Sequence, residues 1–290
     1  MYRVERHDDV FARYHLIDEA GDSRVEVIPE RGALVTSFRI GTREVLYLDL
    51  ATLVDRSKNV RGGIPVLFPI AGKLANERYV IGEREYSMKQ HGFARNSAWS
   101  VVDQGTESAA RITLALASSD ATRAVFPWDF EVKLTFVLAG GTLAIEQRYE
   151  NRSREPMPLH AGFHPYFAVP DAQKAGTTIS TDATRAFDNT RGVAEPFHGF
   201  DLTKPEVDTF LLDHTPRHAT LARPDGEVVR VEMDAAFTTL VVWTIAGKDY
   251  VCVEPWTAPG NALNTRVGLL SIPPGGIHTA RVSFTATRSH

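Results

Sequence analysis

Apolar and polar residues alternate along much of this 290-residue chain, and that period of two constrains the fold more than any other feature. In residues 130–136 (Phe-Glu-Val-Lys-Leu-Thr-Phe) every second residue is apolar, so a strand there would bury one face. Gly140 and Gly141 follow and can adopt the positive φ angles of a two-residue turn, after which apolar residues recur at Leu143 and Ile145. The segment therefore predicts a β-hairpin.

Comparable runs recur along the chain, with turn-forming residues between several of them, and we expect about fifteen strands in all. Four clear examples are residues 110–118, 228–233, 240–245 and 281–287. Because long helical patterns are scarce, a parallel α/β fold is disfavoured and antiparallel sheets packed face to face are favoured. With no repeat or linker in the sequence, we predict an all-β fold, a large antiparallel β-sandwich with few short helices, as a single domain over residues 1–290.

Composition excludes several classes of function. The chain has 32 basic and 36 acidic side chains, a net charge of −4, whereas a general nucleic-acid binder is normally basic. No apolar run approaches the roughly 20 residues of a membrane-spanning helix, and the charged N-terminus does not resemble a signal peptide. A single cysteine, Cys252, excludes an internal disulfide and fits a reducing compartment. We therefore expect a cytoplasmic protein that binds neither nucleic acid nor membrane.

Three stretches break the alternation and concentrate Gly, Pro, His and aromatic residues, a composition typical of loops over a binding site. The first is 61–72, followed shortly by 90–95; the second is 160–167; the third is 251–256, which continues to 261–264. They hold His, Glu, Arg and Trp in apolar surroundings, where perturbed pKa values are expected.

The second stretch contains two histidines that an extended chain would place on one side. Gly162 and Pro165 disfavour a helix, so the spacing of His160 and His164 points to a common face only in extended backbone. Either histidine could instead be a buried side chain bonded to backbone. Two imidazoles and a carboxylate such as Glu254 can bind zinc, but the sequence has no local metal-ligand motif, so we expect no metal.

The third stretch places a carboxylate near the end of a strand. Alternation puts Cys252 and Glu254 on the face opposite Val251 and Val253, and Pro255 is then expected to turn the chain away. An exposed strand-end glutamate is the alternative interpretation, and the cysteine is expected to be a small buried side chain.

Four motifs in this order resemble the aldose 1-epimerase (galactose mutarotase-like) family. They are Arg-Gly-Gly-Ile-Pro-Val-Leu-Phe-Pro at 61–69, Gln-His-Gly-Phe-Ala-Arg at 90–95, His-Pro-Tyr-Phe at 164–167, and Cys-Val-Glu-Pro-Trp at 252–256 with Asn-Ala-Leu-Asn at 261–264. The resemblance extends from about residue 24 to residue 287. It implies an antiparallel β-sandwich with an open groove and an isomerase that interconverts the α and β anomers of a sugar.

That reaction requires two proton transfers, which explains the types of residue that the motifs contain. A general base removes the proton of the C1 hydroxyl while a general acid protonates the ring oxygen, and the hemiacetal opens. The resemblance implies that Glu254 is the base, that His164 is the acid and that His91 hydrogen-bonds the sugar. Because positioning and acid–base catalysis suffice, no cofactor is expected.

The resemblance also suggests further sugar-binding residues. Asp208 is the best match for the acidic residue that holds sugar hydroxyls, with Asp213 as a competitor. Arg78 resembles the arginine of the family's Asn-Arg pair, although one residue is interposed here. Trp256, Tyr166 and Phe93 could each present a flat apolar face to a pyranose ring, or could equally be core residues.

The substrate class depends on whether the pocket neutralises a phosphate. The motif that begins at Arg61 resembles the hexose-6-phosphate epimerase branch, in which Arg61 and Arg95 would grip the dianion. The segments 72–76 and 79–88 instead look like the branch that acts on unphosphorylated aldoses. A carbohydrate-binding protein without turnover and a metal-dependent hydrolase are two further classes that the residues allow. The expected partner is a small sugar or sugar phosphate, bound by a monomer or homodimer.

Overall fold

The computed structural model describes residues 1–215 and 218–288, and within those ranges most of the regular secondary structure is strand. The strands are β1 (Tyr2–Asp8), β2 (Ala12–Asp18), β3 (Ser23–Ile28), β4 (Leu34–Ile40), β5 (Arg43–Glu44), β6 (Val66–Leu67), β7 (Arg78–Ile81), β8 (Arg84–Ser87), β9 (Ser100–Gly105), β10 (Ala110–Ala117), β11 (Phe130–Ala139), β12 (Thr142–Asn151), β13 (Met157–Leu159), β14 (Gly162–Phe163), β15 (Tyr166–Ala168), β16 (Thr178–Ser180), β17 (Arg185–Asp188), β18 (Val193–Pro196), β19 (Glu206–Leu211), β20 (His218–Ala222), β21 (Glu227–Met233), β22 (Thr239–Ile245), β23 (Tyr250–Trp256), β24 (Leu270–Ile272) and β25 (Ile277–Arg288). The helices are α1 (Leu50–Val54), α2 (Asp120–Arg123) and α3 (Ala262–Thr265), with 3₁₀ turns at Pro29–Arg31, Ala75–Glu77, Ala94–Asn96 and Asp171–Gly176.

Two large antiparallel sheets dominate the fold. One has the strand order β16-β20-β21-β25-β12-β11-β10-β9, and the other has the order β18-β17-β19-β22-β23-β14-β6, with β15 also paired to β23. Strands β1 to β5 form a third sheet in chain order, and β13-β24 and β7-β8 are small pairs. The predicted all-β class, with antiparallel sheets and few short helices, is confirmed.

The hairpin that alternation predicted is present as β11 and β12. Phe136 pairs with Ile145, and Leu138 with Leu143. Gly140 and Gly141 both have positive φ, +57° and +72°, as a tight turn of this handedness requires. Every second residue of β11 from Phe130 to Leu138 is buried while the residues between them are partly exposed, so the period of two corresponds directly to the two faces of the strand.

The main apolar core is shared by the two large sheets and by the sheet of β1 to β5. Phe136 of one sheet and Val251 and Val253 of the other belong to the same buried cluster. Phe167 on β15 and Phe284 on β25 bring their ring centroids within 6.0 Å of each other. Because the two valines of β23 turn inward, the intervening Cys252 and Glu254 face away from this core, as the alternation predicted.

Two expectations about the third sequence stretch are wrong. It is not a loop, because Tyr250–Trp256 is one continuous strand, and Pro255 does not turn the chain away. Pro255 pairs with Leu240 of β22, and β14 and β15 pair with β23 on its other side. A proline removes one donor from such a ladder, but its fixed φ still permits extended backbone. Because β23 is paired on both sides, it stays extended at Pro255 and continues to Trp256.

The organisation of residues 1–290 as a single domain, and as a monomer or homodimer, stays a prediction. Among the described residues, no helix is both long and apolar enough to cross a bilayer.

Candidate active site

The sheet that contains β23 turns its other face towards an open cleft of about 500 Å³. The residues of β19, β22 and β23 that line the cleft are spaced two apart along each strand, and these residues form its floor. The loops at 59–61, 72–73 and 90–95 form its walls. The charged and polar side chains in its lining are Asn59, Arg61, Lys73, Gln90, His91, Arg95, His164, Asn189, Glu206, Asp208, Glu254 and Asn261. Polar side chains set among apolar and aromatic ones are typical of a small-molecule site.

Strand register brings the predicted acid and base together. Tyr166 of β15 pairs with Cys252 of β23. Two residues along, the same antiparallel register places His164 opposite Glu254, and residues opposite each other on one face are in contact distance. The His164 Nε2 atom lies 3.3 Å from Glu254 Oε1. Two residues about 90 positions apart in the chain therefore form one pair.

Burial controls the protonation of this pair. Glu254 is 1% exposed and His164 is 8% exposed. Burial, reinforced by the nearby Asp208 carboxylate, raises the pKa of Glu254 well above its usual range. Burial, reinforced by the Arg95 guanidinium, lowers the pKa of His164 to about 3. Between those two pKa values the pair holds a single proton, which Glu254 carries while His164 is neutral.

His91 is held as a neutral donor. The Gly72 N–H donates to His91 Nδ1 at 3.0 Å, so the neutral ring carries its proton on Nε2. Burial and the neighbouring His164 lower the pKa of His91 well below its usual range. The His91 Nε2 atom lies 3.1 Å from the Gln90 side-chain amide, whose oxygen can accept this N–H, and the His91 and His164 ring centroids are 5.5 Å apart. A ligand oxygen beside the pair would compete with Gln90 for the His91 N–H.

Gly62 and Gly63 of the first motif let its loop pack closely against neighbouring backbone. Gly63 has φ +65°, and a Cβ there would lie 2.2 Å from the Val35 carbonyl oxygen. No other residue fits such a position without movement of the backbone. The close approach places Arg61 at the mouth of the cleft, with its guanidinium 5.7 Å from the Trp243 ring centroid.

Three cationic side chains line the cleft: Arg61, Arg95 and Lys73. Arg95 donates from Nη2 to the Gln90 carbonyl oxygen at 2.9 Å, which orients its guanidinium. Burial lowers the pKa of the Arg95 guanidinium, although an arginine keeps its charge at neutral pH. The cleft therefore offers cationic side chains that can pair with an anionic group, although Glu206, Asp208 and Glu254 line it as well.

The structure distinguishes between the two aspartates considered from sequence. Asp208 lies in the cleft, where Asn189 Nδ2 donates to its Oδ2 at 2.5 Å and burial raises its pKa. Asp213 lies outside the lining and accepts the backbone N–H groups of Thr184 and Arg185 at 2.9 and 3.0 Å. The position of Asp208, and not that of Asp213, suits contact with a ligand.

Three other candidates from the sequence lie outside the cleft lining or are almost fully buried beside it. Arg78 begins β7 and pairs with Glu85 at 2.8 Å, and it is not part of the cleft lining. His160 is fully buried and also lies outside the lining. Trp256 does border the cleft, but it is only 3% exposed, so little of its ring is free to stack on a sugar.

One group of side chains at the cleft floor has metal-ligand geometry. One ligand atom from each of His164, Cys252 and Glu254 lies within 4.8 Å of the others. The set differs from that considered from sequence, because Cys252 takes the place of His160. Arg61 lies near enough to interact electrostatically with the Cys252 thiol, and Arg95 with the Glu254 carboxylate. Their positive charges would repel a cation bound at this place.

Sequence reasoning missed several residues of the cleft, among them Trp243 and Asn189. Trp243 lies beside Asp208 on the neighbouring strand. Alternation within 240–245 places Trp243 on the face opposite the core residue Val242, so a signal existed. Asn189 follows β17 in an exposed turn, and the sequence around it carries no comparable pattern.

The family model described as Aldose 1-epimerase matches residues 15–285. The chain belongs to the aldose 1-epimerase family. The resemblance found in the four motifs is thus confirmed, and these family members interconvert sugar anomers as isomerases.

Individual relatives agree with the family assignment. The crystal structure of the Slr1438 protein from Synechocystis sp. PCC 6803 is 37% identical, covers 100% of both chains and gives a TM-score of 0.94. A galactose mutarotase-like protein from Clostridium acetobutylicum shares the fold at 18% identity, with 99% of both chains covered and a TM-score of 0.85. A putative glucose-6-phosphate 1-epimerase from Salmonella typhimurium is 29% identical over 86% of this chain and 75% of its own length.

Proposed function

We propose that this chain catalyses the 1-epimerisation of a hexose, with Glu254 as general base and His164 as general acid. The observation that carries the proposal is the 3.3 Å separation of Glu254 Oε1 and His164 Nε2 at the floor of the cleft. The C1 hydroxyl oxygen and the ring oxygen of an aldose are bonded to the same carbon. Glu254 and His164 therefore lie close enough to act on both oxygens at once, since one proton must leave the C1 hydroxyl and one must reach the ring oxygen.

The reaction would proceed by ring opening and reclosure. The single proton of the pair first moves from Glu254 to His164 across their contact. The Glu254 carboxylate then takes the proton of the C1 hydroxyl, the bond between C1 and the ring oxygen breaks as the aldehyde forms, and His164 gives its proton to the ring oxygen. Rotation about C1–C2 presents the opposite face of the carbonyl. The reverse transfers close the ring as the other anomer, so the pair returns to its starting state and no cofactor is consumed.

The neighbouring groups would hold the sugar during that rotation. The Nε2–H of His91 can donate to a sugar oxygen beside the acid–base pair, because its Nδ1 is already occupied by Gly72. Asp208, fixed by Asn189, can accept from sugar hydroxyls on the opposite side of the cleft floor. Positioning by such fixed contacts lowers the entropic part of the barrier.

The direct test is the rate of anomer equilibration of α-D-glucose, α-D-galactose and glucose 6-phosphate, followed by polarimetry or NMR exchange. We expect purified protein to accelerate at least one of them above the spontaneous rate. If none is accelerated, the acid–base pair is not performing this reaction and a carbohydrate-binding protein becomes the better interpretation.

A specific observation favours a second candidate, a hexose-6-phosphate 1-epimerase. Arg61, Arg95 and Lys73 line the same cleft, and arginine pairs with a phosphate dianion through two parallel hydrogen bonds. The putative glucose-6-phosphate 1-epimerase from Salmonella typhimurium is consistent with this substrate class.

The arginines provide the discriminating prediction. With a phosphorylated substrate, Arg61→Gln should raise KM about tenfold or more through loss of a charge-assisted contact, and should leave kinetics on free hexoses nearly unchanged. Arg78→Gln, which removes an arginine outside the cleft, is the matched control. Equal effects on both substrates would show that Arg61 does not bind the phosphate.

The pH dependence follows from the shifted pKa values. Catalysis requires one proton on the pair, and this state persists from the lowered pKa of His164, about 3, to the raised pKa of Glu254. We therefore expect kcat/KM to show no acid limb near pH 6.5, the ordinary pKa of histidine. The measurement is the rate from pH 4.5 to 8 after subtraction of spontaneous mutarotation. A fall on acidification centred near pH 6.5 would contradict it.

A further inference from the structure

The two oxygens of the Glu254 carboxylate have different neighbours. His164 Nε2 lies 3.3 Å from Oε1, while the indole N–H of Trp256 donates to Oε2 at 3.2 Å. Residues 254 and 256 share one face of β23 because side chains alternate along a strand. The strand thus delivers the carboxylate and its donor together.

The Trp256 ring is clamped in place. It is 3% exposed, and its centroid lies 5.4 Å from that of Phe210 and 5.9 Å from that of His91. A Cβ at Gly72, which has φ +79°, would come within 2.9 Å of the indole Cζ3 atom. A ring packed on these sides cannot turn its N–H away from Glu254. Its burial also leaves little of its face free for a sugar.

We propose that Trp256 is a positioning residue, whose indole N–H holds Glu254 Oε2 and so leaves Oε1 to face His164 and the reacting hydroxyl. The proposal deepens the proposed function and rests on Glu254 as the general base. It replaces the stacking role that the sequence suggested for this tryptophan.

Other charges around Glu254 make this donor important. Asp208 faces it from β19 and favours its protonated form, as does burial. Arg95 acts in the opposite direction, and His164, Tyr166 and Cys252 are the remaining titratable neighbours. A hydrogen bond to an ionised group stabilises that ionised form, so the indole lowers the pKa of Glu254. Removal of the N–H should therefore leave less of the carboxylate that acts as base.

The test is Trp256→Phe, which keeps a buried aromatic ring and removes the N–H. Loss of a hydrogen bond to a charged group corresponds to about a tenfold to hundredfold fall in kcat, with KM changed by less than about threefold. The alkaline limb of the pH profile should move upwards by about one pH unit or more. Trp128→Phe is the matched control: Trp128 Nε1 donates to the Pro156 carbonyl oxygen at 3.0 Å outside the cleft, and its loss should not move the limb.

A raised KM with an unmoved pH profile would overturn the proposal, because it is the result expected of a surface that only contacts the sugar.

A second measurement does not depend on the folding of Trp256→Phe. The chain has 4 tryptophans, and in an ¹H–¹⁵N spectrum Glu254→Gln should shift one indole signal far more than the others. If no indole signal moves, the contact is absent. Because this readout needs no turnover, it separates failure of this inference from failure of the proposed function.

Discussion

Glu254→Gln is expected to reduce kcat for anomer equilibration by a factor of about 10² to 10⁴, the usual contribution of a positioned acid–base group. The amide has nearly the same shape as the carboxylate but cannot take the proton of the C1 hydroxyl. Sugar affinity should change little, because Asp208, His91 and the rest of the cleft remain. The measurement combines NMR exchange rates with calorimetric binding of the same sugar.

A matched control is Glu146→Gln on the exposed face of β12, which makes the same chemical change outside the cleft. The melting temperature of Glu254→Gln should be equal to or above that of the wild type, because burial disfavours an ionised side chain. Full activity in Glu254→Gln would exclude Glu254 as the base. Loss of binding together with activity would instead assign Glu254 to substrate binding.

Phe136→Ala is expected to lower the free energy of unfolding by about 3–5 kcal/mol. Phe136 is fully buried in the core cluster shared by the two large sheets, so its removal leaves a cavity in addition to the loss of apolar burial. Equilibrium denaturation in urea measures the change. The cleft lies on the other face of the opposite sheet, so the activity of the folded variant at low temperature should remain close to that of the wild type.

Val137→Ala on the same strand is the control for this prediction. Val137 lies on the other face of β11 and is only partly buried, so its truncation should lower the free energy of unfolding by less than about 1 kcal/mol. Equal losses in the two variants would mean that the face assigned to the core by alternation does not control the stability of the fold.

Much of the fold could be predicted because its signals are local. In β11, the spacing of apolar residues in 130–136 records which face is buried, and Gly140-Gly141 records the turn. Pro255 shows the limit of that reasoning. A proline is a local signal for a turn, but β22 and β14 pair with the two sides of β23 and keep its chain extended, and β14 lies far from β23 in the sequence.

The candidate site was predictable only in part. The motifs identified Glu254, His164, His91 and Asp208 as candidates, and all four lie in the cleft. Arg78 satisfied a similar motif yet pairs with Glu85 outside it, since one interposed residue changes which side chain a short segment presents. Trp243 has no motif at all and enters the cleft through its place beside Asp208.

The sequence by itself determined the all-β class, the buried faces of clear strands such as β11, and the chemical groups available, because periodicity and turn residues act over a few neighbouring positions. Only the tertiary structure decided that Glu254 stands opposite His164, that Trp256 donates to the same carboxylate, and that burial leaves one proton on the pair. Those properties depend on strand register and on exclusion of water, and both arise from contacts between segments far apart in the chain.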